Sequence, residues 1–135
     1  MPSYVDPQDI ELALAAQTIA VVGLSANPAR PSFEVAEYLQ RAGYRVIPVN
    51  PNESEILGER CYRSLMDIPE TVQLVDVFRQ PDAVPAIAKQ AVAIGARCLW
   101  LQLGVISEVG AQIAIDGGLR VVMDRCTKIE HARST

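Results

Sequence analysis

The stretch Thr-Ile-Ala-Val-Val-Gly at residues 18–23 is a short apolar run that ends at a glycine. An uninterrupted run of β-branched and small apolar residues is typical of a parallel strand buried on both faces. The loop that follows is rich in proline and small polar residues, and Ser32 stands where it could cap the next helix. Apolar residues recur at helical spacing from Phe33 to Ala42, before Gly43. This strand–loop–helix unit predicts an α/β fold.

The same alternation of strands and helices continues along the whole chain. Asp6 and Pro7 predict a helix over residues 6–16, because they supply an N-cap and a proline for the first turn. Further apolar runs predict strands at residues 44–49, 73–78, 97–101 and 120–124, and helices at residues 83–94 and 108–116. Residues 126–135 are polar and are expected to form a tail.

We therefore predict a single Rossmann-like domain over residues 1–135, with an open five-stranded parallel sheet and helices on both faces. With the strands numbered along the chain, the expected order is 3-2-1-4-5. Pro48 lies inside the second predicted strand. Since proline cannot donate a hydrogen bond to a neighbouring strand, Pro48 is expected at a sheet edge or a strand end.

Composition and charge exclude several classes of protein. The net charge of −4 and the lack of a long lysine or arginine cluster argue against nucleic-acid binding. No apolar run approaches the roughly 20 residues of a membrane span, and the N-terminus does not resemble a secretory signal. Three cysteines and one histidine, widely spaced, indicate neither a disulfide framework nor a metal site. We expect a cytoplasmic protein with one small-molecule site.

In sheets of this kind a ligand binds beyond the carboxyl ends of the strands, where the strand order reverses. For the predicted order, that point lies between the first and fourth strands. Arginines occur in four of the five loops at this edge: Arg30, Arg60, Arg63, Arg79 and Arg125. This bias favours an anionic ligand, and a solvated surface charge is the alternative for each of them.

Two of these loops indicate the kind of anionic ligand that is expected. The loop after the first strand, with Arg30 and Ser32, leads to a helix N-terminus and is suited to a pyrophosphate, although it is not a Gly-x-Gly-x-x-Gly motif. The second strand ends at Asn50 and not at the Asp or Glu that nicotinamide-binding domains place there. A neutral side chain tolerates a ligand with an additional ribose phosphate, and coenzyme A is such a ligand.

Several segments of the chain resemble those of a known protein family. The resemblance is carried by five segments in order: residues 19–25 (IAVVGLS), 43–51 (GYRVIPVNP), 77–79 (VFR), 95–104 (GARCLWLQLG) and 121–126 (VVMDRC). Together they resemble the small stand-alone CoA-binding proteins, which are similar to the N-terminal domain of the succinyl-CoA synthetase alpha subunit. The resemblance extends from about Ile19 to His131.

The resemblance implies coenzyme A as the ligand and assigns it three regions of the chain. The pyrophosphate would be surrounded by Gly23, Leu24, Ser25 and Asn27. The adenosine end would lie near Asn50 and Pro51, with Phe78 and Arg79 bordering the nucleotide. The pantetheine arm would pass Gln102, Leu103 and Gly104.

Catalysis is not expected, because the chain lacks the further domain that carries the synthetase histidine, and its one histidine, His131, lies in the polar tail. Asp76 and Asp124 are expected to contact helices or loops. Two other functions stay open: an NAD(P)-binding or redox-sensing module, and a docking subunit of an acyl-CoA enzyme or a homo-oligomer. Cys126 could form a mixed disulfide with the CoA thiol, and the alternative is a packed structural thiol.

Overall fold

The computed structural model describes residues 4–134, so the ends of the predicted domain, residues 1–3 and 135, lie outside the described part. Residues 4–134 form five α-helices: α1 (Pro7–Leu14), α2 (Pro31–Arg41), α3 (Val84–Ala93), α4 (Glu108–Asp116) and α5 (Thr127–Ser134). They also form seven strands: β1 (Thr18–Val22), β2 (Arg45–Val49), β3 (Glu55–Ile56), β4 (Glu59–Arg60), β5 (Leu74–Val77), β6 (Cys98–Leu101) and β7 (Arg120–Met123). None of these helices has the length and apolar character needed to cross a membrane.

Five parallel strands form the main sheet, in the order β2-β1-β5-β6-β7. The short strands β3 and β4 form an antiparallel hairpin in the connection from β2 to β5. The predicted α/β class and the five-stranded parallel sheet are confirmed. The predicted strand order is wrong: in the same numbering the observed order is 2-1-3-4-5, and not 3-2-1-4-5.

Pro48 gives the physical reason for the observed order. The predicted order places the second strand between two neighbours, where its missing N–H would interrupt a ladder. In the structure β2 is an edge strand that pairs along its length with β1 alone, and on the outer side Tyr62 N–H donates to the Pro48 carbonyl at 3.0 Å. The expectation for Pro48 is therefore confirmed. Strand β5 is buried at every residue, which suits its place between β1 and β6.

Helices cover both faces of the sheet, as predicted. Alternate strand residues pack into two separate apolar clusters, one on each face. Helices α3 and α4 cover one face, and α1 and α2 cover the other. Trp100 in β6 is fully buried in the second cluster, as expected of a core indole.

The helix starts follow the sequence signals with one exception. Asp6 Oδ1 accepts from Gln8 N–H at 2.8 Å at the start of α1. Helix α2 begins at Pro31 with Arg30 at the cap position, so the expectation that Ser32 caps this helix is wrong. Pro31 fits the first helical position and has no N–H to be capped, which places Ser32 inside the first turn. The Ser32 hydroxyl instead accepts from Ser25 N–H at 2.9 Å.

The segment expected to be a polar tail forms α5 and packs against the second face of the sheet. Thr127 is fully buried and Cys126 is 8% exposed. Lys128 Nζ contacts Glu34 Oε1 at 2.7 Å, and the Tyr38 hydroxyl lies 2.8 Å from His131 Nδ1. Hydrogen bonds and ion pairs dock this helix, which is why the apolar pattern of the sequence did not reveal it.

Removal of α5 should therefore destabilise the domain. A chain that ends at Arg125 is expected to lose at least about 2 kcal/mol of unfolding free energy, because Thr127 is a partner of the buried Asp76 carboxyl and loss of such a partner costs about 1–3 kcal/mol. Urea denaturation measures the change, and a chain that ends at Arg133 is the matched control. Equal stability of the two shortened chains would contradict the packing described for α5.

Candidate functional site

Two adjoining clefts open at the carboxyl edge of the main sheet. Cleft A, of about 530 Å³, follows the ends of β1, β5 and β6, and cleft B, of about 700 Å³, follows the ends of β1 and β2. The strand order reverses between β1 and β5, and not between the first and fourth strands as predicted. Parallel sheets of this order bind ligands at that reversal. The clefts therefore lie where such a ligand is expected.

The structure brings nearly all of the predicted site residues to these clefts. Cleft A is lined by Gly23, Ser25, Arg30, Ser32, Phe78, Arg79, Gln102, Leu103 and Gly104 among the predicted residues. Cleft B shares four of these and adds Asn27, Asn50 and Pro51. Leu24 is the exception, because its side chain is fully buried in the core. The predicted site residues did not include the further lining residues Ala26, Pro31, Val35, Asn52, Glu53, Gln80, Pro81 and Val105.

Two arginines stand in the section that the clefts share. Arg30 precedes α2 and Arg79 follows β5, and each lines both clefts. Cleft A has no aspartate or glutamate among its lining residues, and Glu53 is the acid that lines cleft B. Of the other arginines expected at this edge, Arg60, Arg63 and Arg125 line neither cleft. Arg30 and Arg79 are thus the two arginines that the clefts share.

Hydrogen bonds within the β1–α2 loop hold its shape. Asn27 N–H donates to Ser25 Oγ at 3.0 Å, and Asn27 Oδ1 accepts from Ala29 N–H at 3.0 Å. The backbone N–H groups of Ala26 and Ser32 have no hydrogen-bond partner within residues 4–134. Because Ala26 lines cleft B and Ser32 lines cleft A at the start of α2, both N–H groups are available to an anion.

Gly23 is required by the close approach of two backbones. Its φ of +86° lies in the region that favours glycine. A Cβ at this position would lie 3.0 Å from the Phe78 carbonyl carbon and 2.8 Å from Arg79 Cδ. A side chain at residue 23 would therefore push apart the loops that follow β1 and β5.

Asn50 joins the loops that follow β1 and β2. Its Nδ2 donates to the Leu24 carbonyl at 3.0 Å, and its Oδ1 accepts from Asn52 N–H at 2.8 Å. The tip of β2 is thus neutral, and the Asn50 amide links the two loops that border cleft B. The sequence analysis predicted Asn50 as a site residue, but it did not predict the hydrogen bond to the Leu24 carbonyl.

A buried polar network lies beneath cleft A. Gln102 Nε2 donates to Asp76 Oδ1 at 2.6 Å and to Thr127 Oγ1 at 2.9 Å, and Thr127 Oγ1 donates to Asp76 Oδ2 at 3.1 Å. Burial disfavours the charged carboxylate and raises the pKa of Asp76 from 3.8 to about 7, although both hydrogen bonds oppose this shift. We call these three residues the Asp76 network.

A second acid shapes the wall of the cleft. Asp124 Oδ1 accepts from Gly104 N–H at 2.7 Å and fixes the loop after β6. The expectation that Asp76 and Asp124 bond to helices or loops is confirmed, since Asp76 contacts α5 through Thr127. Cys126 lines cleft A and is buried, and its mixed disulfide with a ligand thiol stays a prediction. Within residues 4–134, no group of three or more His, Cys, Asp or Glu is placed to hold a metal ion.

Comparisons with known proteins identify the family and the fold of this chain. Residues 17–132 match the family described as CoA binding domain. The chain is 38% identical over 122 residues to an uncharacterized protein, YneT, from Bacillus subtilis (strain 168), and the match covers 90% of each chain. A solved structure of a hypothetical protein from Pyrococcus horikoshii OT3 has a TM-score of 0.90 and 38% identity, over 93% of this chain and 89% of that one.

A longer relative that contains a similar region is an enzyme. The chain is 29% identical over 96 residues to the ADP-forming acetate–CoA ligase II of Archaeoglobus fulgidus, a match that covers 70% of this chain and 14% of the ligase. The sequence resembles succinyl-CoA synthetase as well, whereas this relative is a ligase named for acetate. The chain spans about a seventh of that ligase, so most of the ligase has no counterpart in it.

The buried Asp76 carboxyl should make stability depend on pH. Between pH 3.8 and about 7 the folded protein holds a proton that the unfolded chain releases, so unfolding free energy falls as pH rises through this window. The slope from this one group is at most about 1.4 kcal/mol per pH unit. Asp76→Asn removes it, so the stability of the variant relative to the wild type should rise between about pH 4 and 7 and then level off.

Urea denaturation of both proteins across that pH range measures this difference. A constant difference at every pH would contradict the burial of an ionisable carboxyl at residue 76.

Proposed function

Because this chain belongs to the CoA-binding domain family, we propose that it binds coenzyme A or an acyl-CoA across clefts A and B, without carrying out a reaction on it. The observation that carries the proposal is the junction of the two clefts, where Arg30 and Arg79 line both of them. A ligand with a charged centre and two different arms fits that arrangement. Coenzyme A has a pyrophosphate between an adenosine and a pantetheine arm.

The pyrophosphate is assigned to the junction. Guanidinium groups form paired, charge-assisted hydrogen bonds with phosphate oxygens. The unpartnered N–H groups of Ala26 and Ser32 and the start of α2 add further donors and a favourable dipole. The acids of this protein, which has a net charge of −4, are absent from the lining of cleft A. These features together support an anionic group at this point.

The two arms are assigned to clefts of different character. Cleft B, with Asn50, Asn52 and Glu53, offers polar groups to the adenosine end, and the neutral tip of β2 leaves room for the 3′-phosphate. Cleft A continues from the junction past Phe78 to Leu103 and Gly104, and its mixed apolar and polar lining suits the pantetheine arm. This orientation places the thiol end of the ligand near the loop after β6.

Binding without catalysis is supported by the groups that the clefts present. His131 lines neither cleft, and its Nδ1 contacts the Tyr38 hydroxyl at 2.8 Å. The hydroxyl groups of Ser25 and Ser32 accept hydrogen bonds from loop N–H groups and have no base beside them within residues 4–134. A nucleophile needs an adjacent base to be active.

A second candidate function, docking to a catalytic subunit of an acyl-CoA ligase, is favoured by an exposed apolar surface. Leu103, Ile106 and Val109 are 59%, 54% and 65% exposed, and all three lie in or after the loop that borders cleft A. In this role the domain would present the thiol end of its ligand to the partner. Sedimentation with and without the remaining domains of an acetate–CoA ligase would test it, and the chain alone would reveal a homo-oligomer.

Coenzyme A should stabilise the fold more than NAD does. At a free concentration of 100 times its dissociation constant, CoA is expected to add about 2.7 kcal/mol to the unfolding free energy. NAD at the same concentration should add less, because the tip of β2 has Asn50 in place of the carboxylate that binds the adenosine ribose. Thermal and urea denaturation with each ligand measure the added stability. An equal or larger effect of NAD would favour the NAD(P)-binding hypothesis.

Each arginine at the junction should contribute separately to affinity. Arg30→Ala and Arg79→Ala are each expected to weaken CoA binding by about 1.5–3 kcal/mol, the usual size of a hydrogen bond to a charged group. Arg41→Ala is the matched control, since Arg41 lies at the far end of α2 and its side chain is 79% exposed. Titration calorimetry measures all three. Affinities unchanged by the first two substitutions would place the pyrophosphate elsewhere.

A further inference from the structure

The Asp76 network holds the side-chain amide of Gln102 in one orientation. Above about pH 7, where the Asp76 carboxyl is ionised, it only accepts hydrogen bonds, so the Gln102 atom 2.6 Å from Asp76 Oδ1 is the amide nitrogen. The same nitrogen donates its second hydrogen to Thr127 Oγ1 at 2.9 Å. The Thr127 hydroxyl in turn donates its hydrogen to Asp76 Oδ2. Every hydrogen within the ring of three side chains is therefore assigned.

The Gln102 amide oxygen takes no part in these hydrogen bonds. Gln102 Oε1 has no hydrogen-bond partner within residues 4–134, and yet no buried side-chain oxygen or nitrogen of these residues lacks a partner. Gln102 is 3% exposed and lines cleft A. Its amide oxygen therefore reaches the cleft, where it is an acceptor without a donor.

We propose that Asp76 and Thr127 are positioning residues that lock the Gln102 amide with its oxygen toward cleft A, where it accepts from an N–H group of the ligand. This inference rests on the proposed function, and on that basis the donor is an amide of the pantetheine arm. The arm has two amide groups, so it can supply the N–H, whereas the nucleotide half of CoA ends at the junction of the clefts. The network thus recognises the arm and not the nucleotide.

The chemistry of the network explains why a carboxylate is buried here. A neutral residue at position 76 that both donates and accepts could satisfy either face of the Gln102 amide, and the oxygen would no longer be fixed toward the ligand. A carboxylate only accepts hydrogen bonds, so only the amide nitrogen of Gln102 can face it. Asp76 does not line either cleft itself, so its effect on the ligand passes through Gln102.

Two ligands distinguish positioning from a general effect on the fold. Asp76→Asn keeps the shape of the side chain but lets residue 76 donate, and Thr127→Val removes the hydroxyl that accepts the second Gln102 hydrogen. At about pH 8, each is expected to weaken CoA binding about threefold to tenfold, the loss of one hydrogen bond between uncharged groups. Adenosine 3′,5′-bisphosphate, which lacks the arm, should bind each variant as it binds the wild type.

Thr127→Ser is the matched control, because it restores the hydroxyl and should restore CoA affinity. Titration calorimetry measures both ligands, with urea denaturation of each variant alongside. Loss of affinity for both ligands in equal measure would overturn the inference, as it would indicate a purely structural role. Unchanged CoA affinity in either folded variant would also overturn it. Failure of the wild type to bind CoA would instead overturn the proposed function.

Discussion

The structure depends on the close passage of the Gly23 backbone beside the carbonyl group of Phe78. This contact lies where the order of the parallel strands reverses, between β1 and β5. A Cβ on residue 23 would separate the two loops, and these loops carry Arg30 and Arg79. The junction of clefts A and B therefore depends on glycine at residue 23, which lets the two loops lie close together.

The Asp76 network joins the candidate ligand site to the C-terminal helix. Burial of a carboxyl group opposes its ionisation, and the pKa of Asp76 is accordingly raised to about 7. Hydrogen bonds from Gln102 and Thr127 offset part of this cost, and Thr127 is the first residue of α5. A helix with little apolar surface is thereby held against the sheet by a network that lies beneath cleft A and reaches its lining through Gln102.

Sequence patterns predicted the elements better than their arrangement. The five main strands and four of the helices were found from their apolar periodicity, and twelve of the thirteen predicted site residues line a cleft. The predicted strand order was wrong, although Pro48 favoured an edge position for the second strand. Local sequence patterns indicate where strands lie along the chain but not which strands pair with each other. Apolar periodicity does not indicate helix α5 because this helix docks by polar contacts. Ser32 does not cap α2 because the helix begins one residue earlier, at Pro31.

The sequence by itself determined the α/β class, the loops at the carboxyl edge and the glycine, proline and arginine residues in those loops, since the class and the loops follow from periodicity and from the positions of these residues. Only the tertiary structure decided which arginines share a cleft and which way the Gln102 amide faces. Asp76, Gln102 and Thr127 are separated by 25 residues or more along the chain. A hydrogen-bond network of this kind exists only when the fold brings its members together, so no local pattern records it.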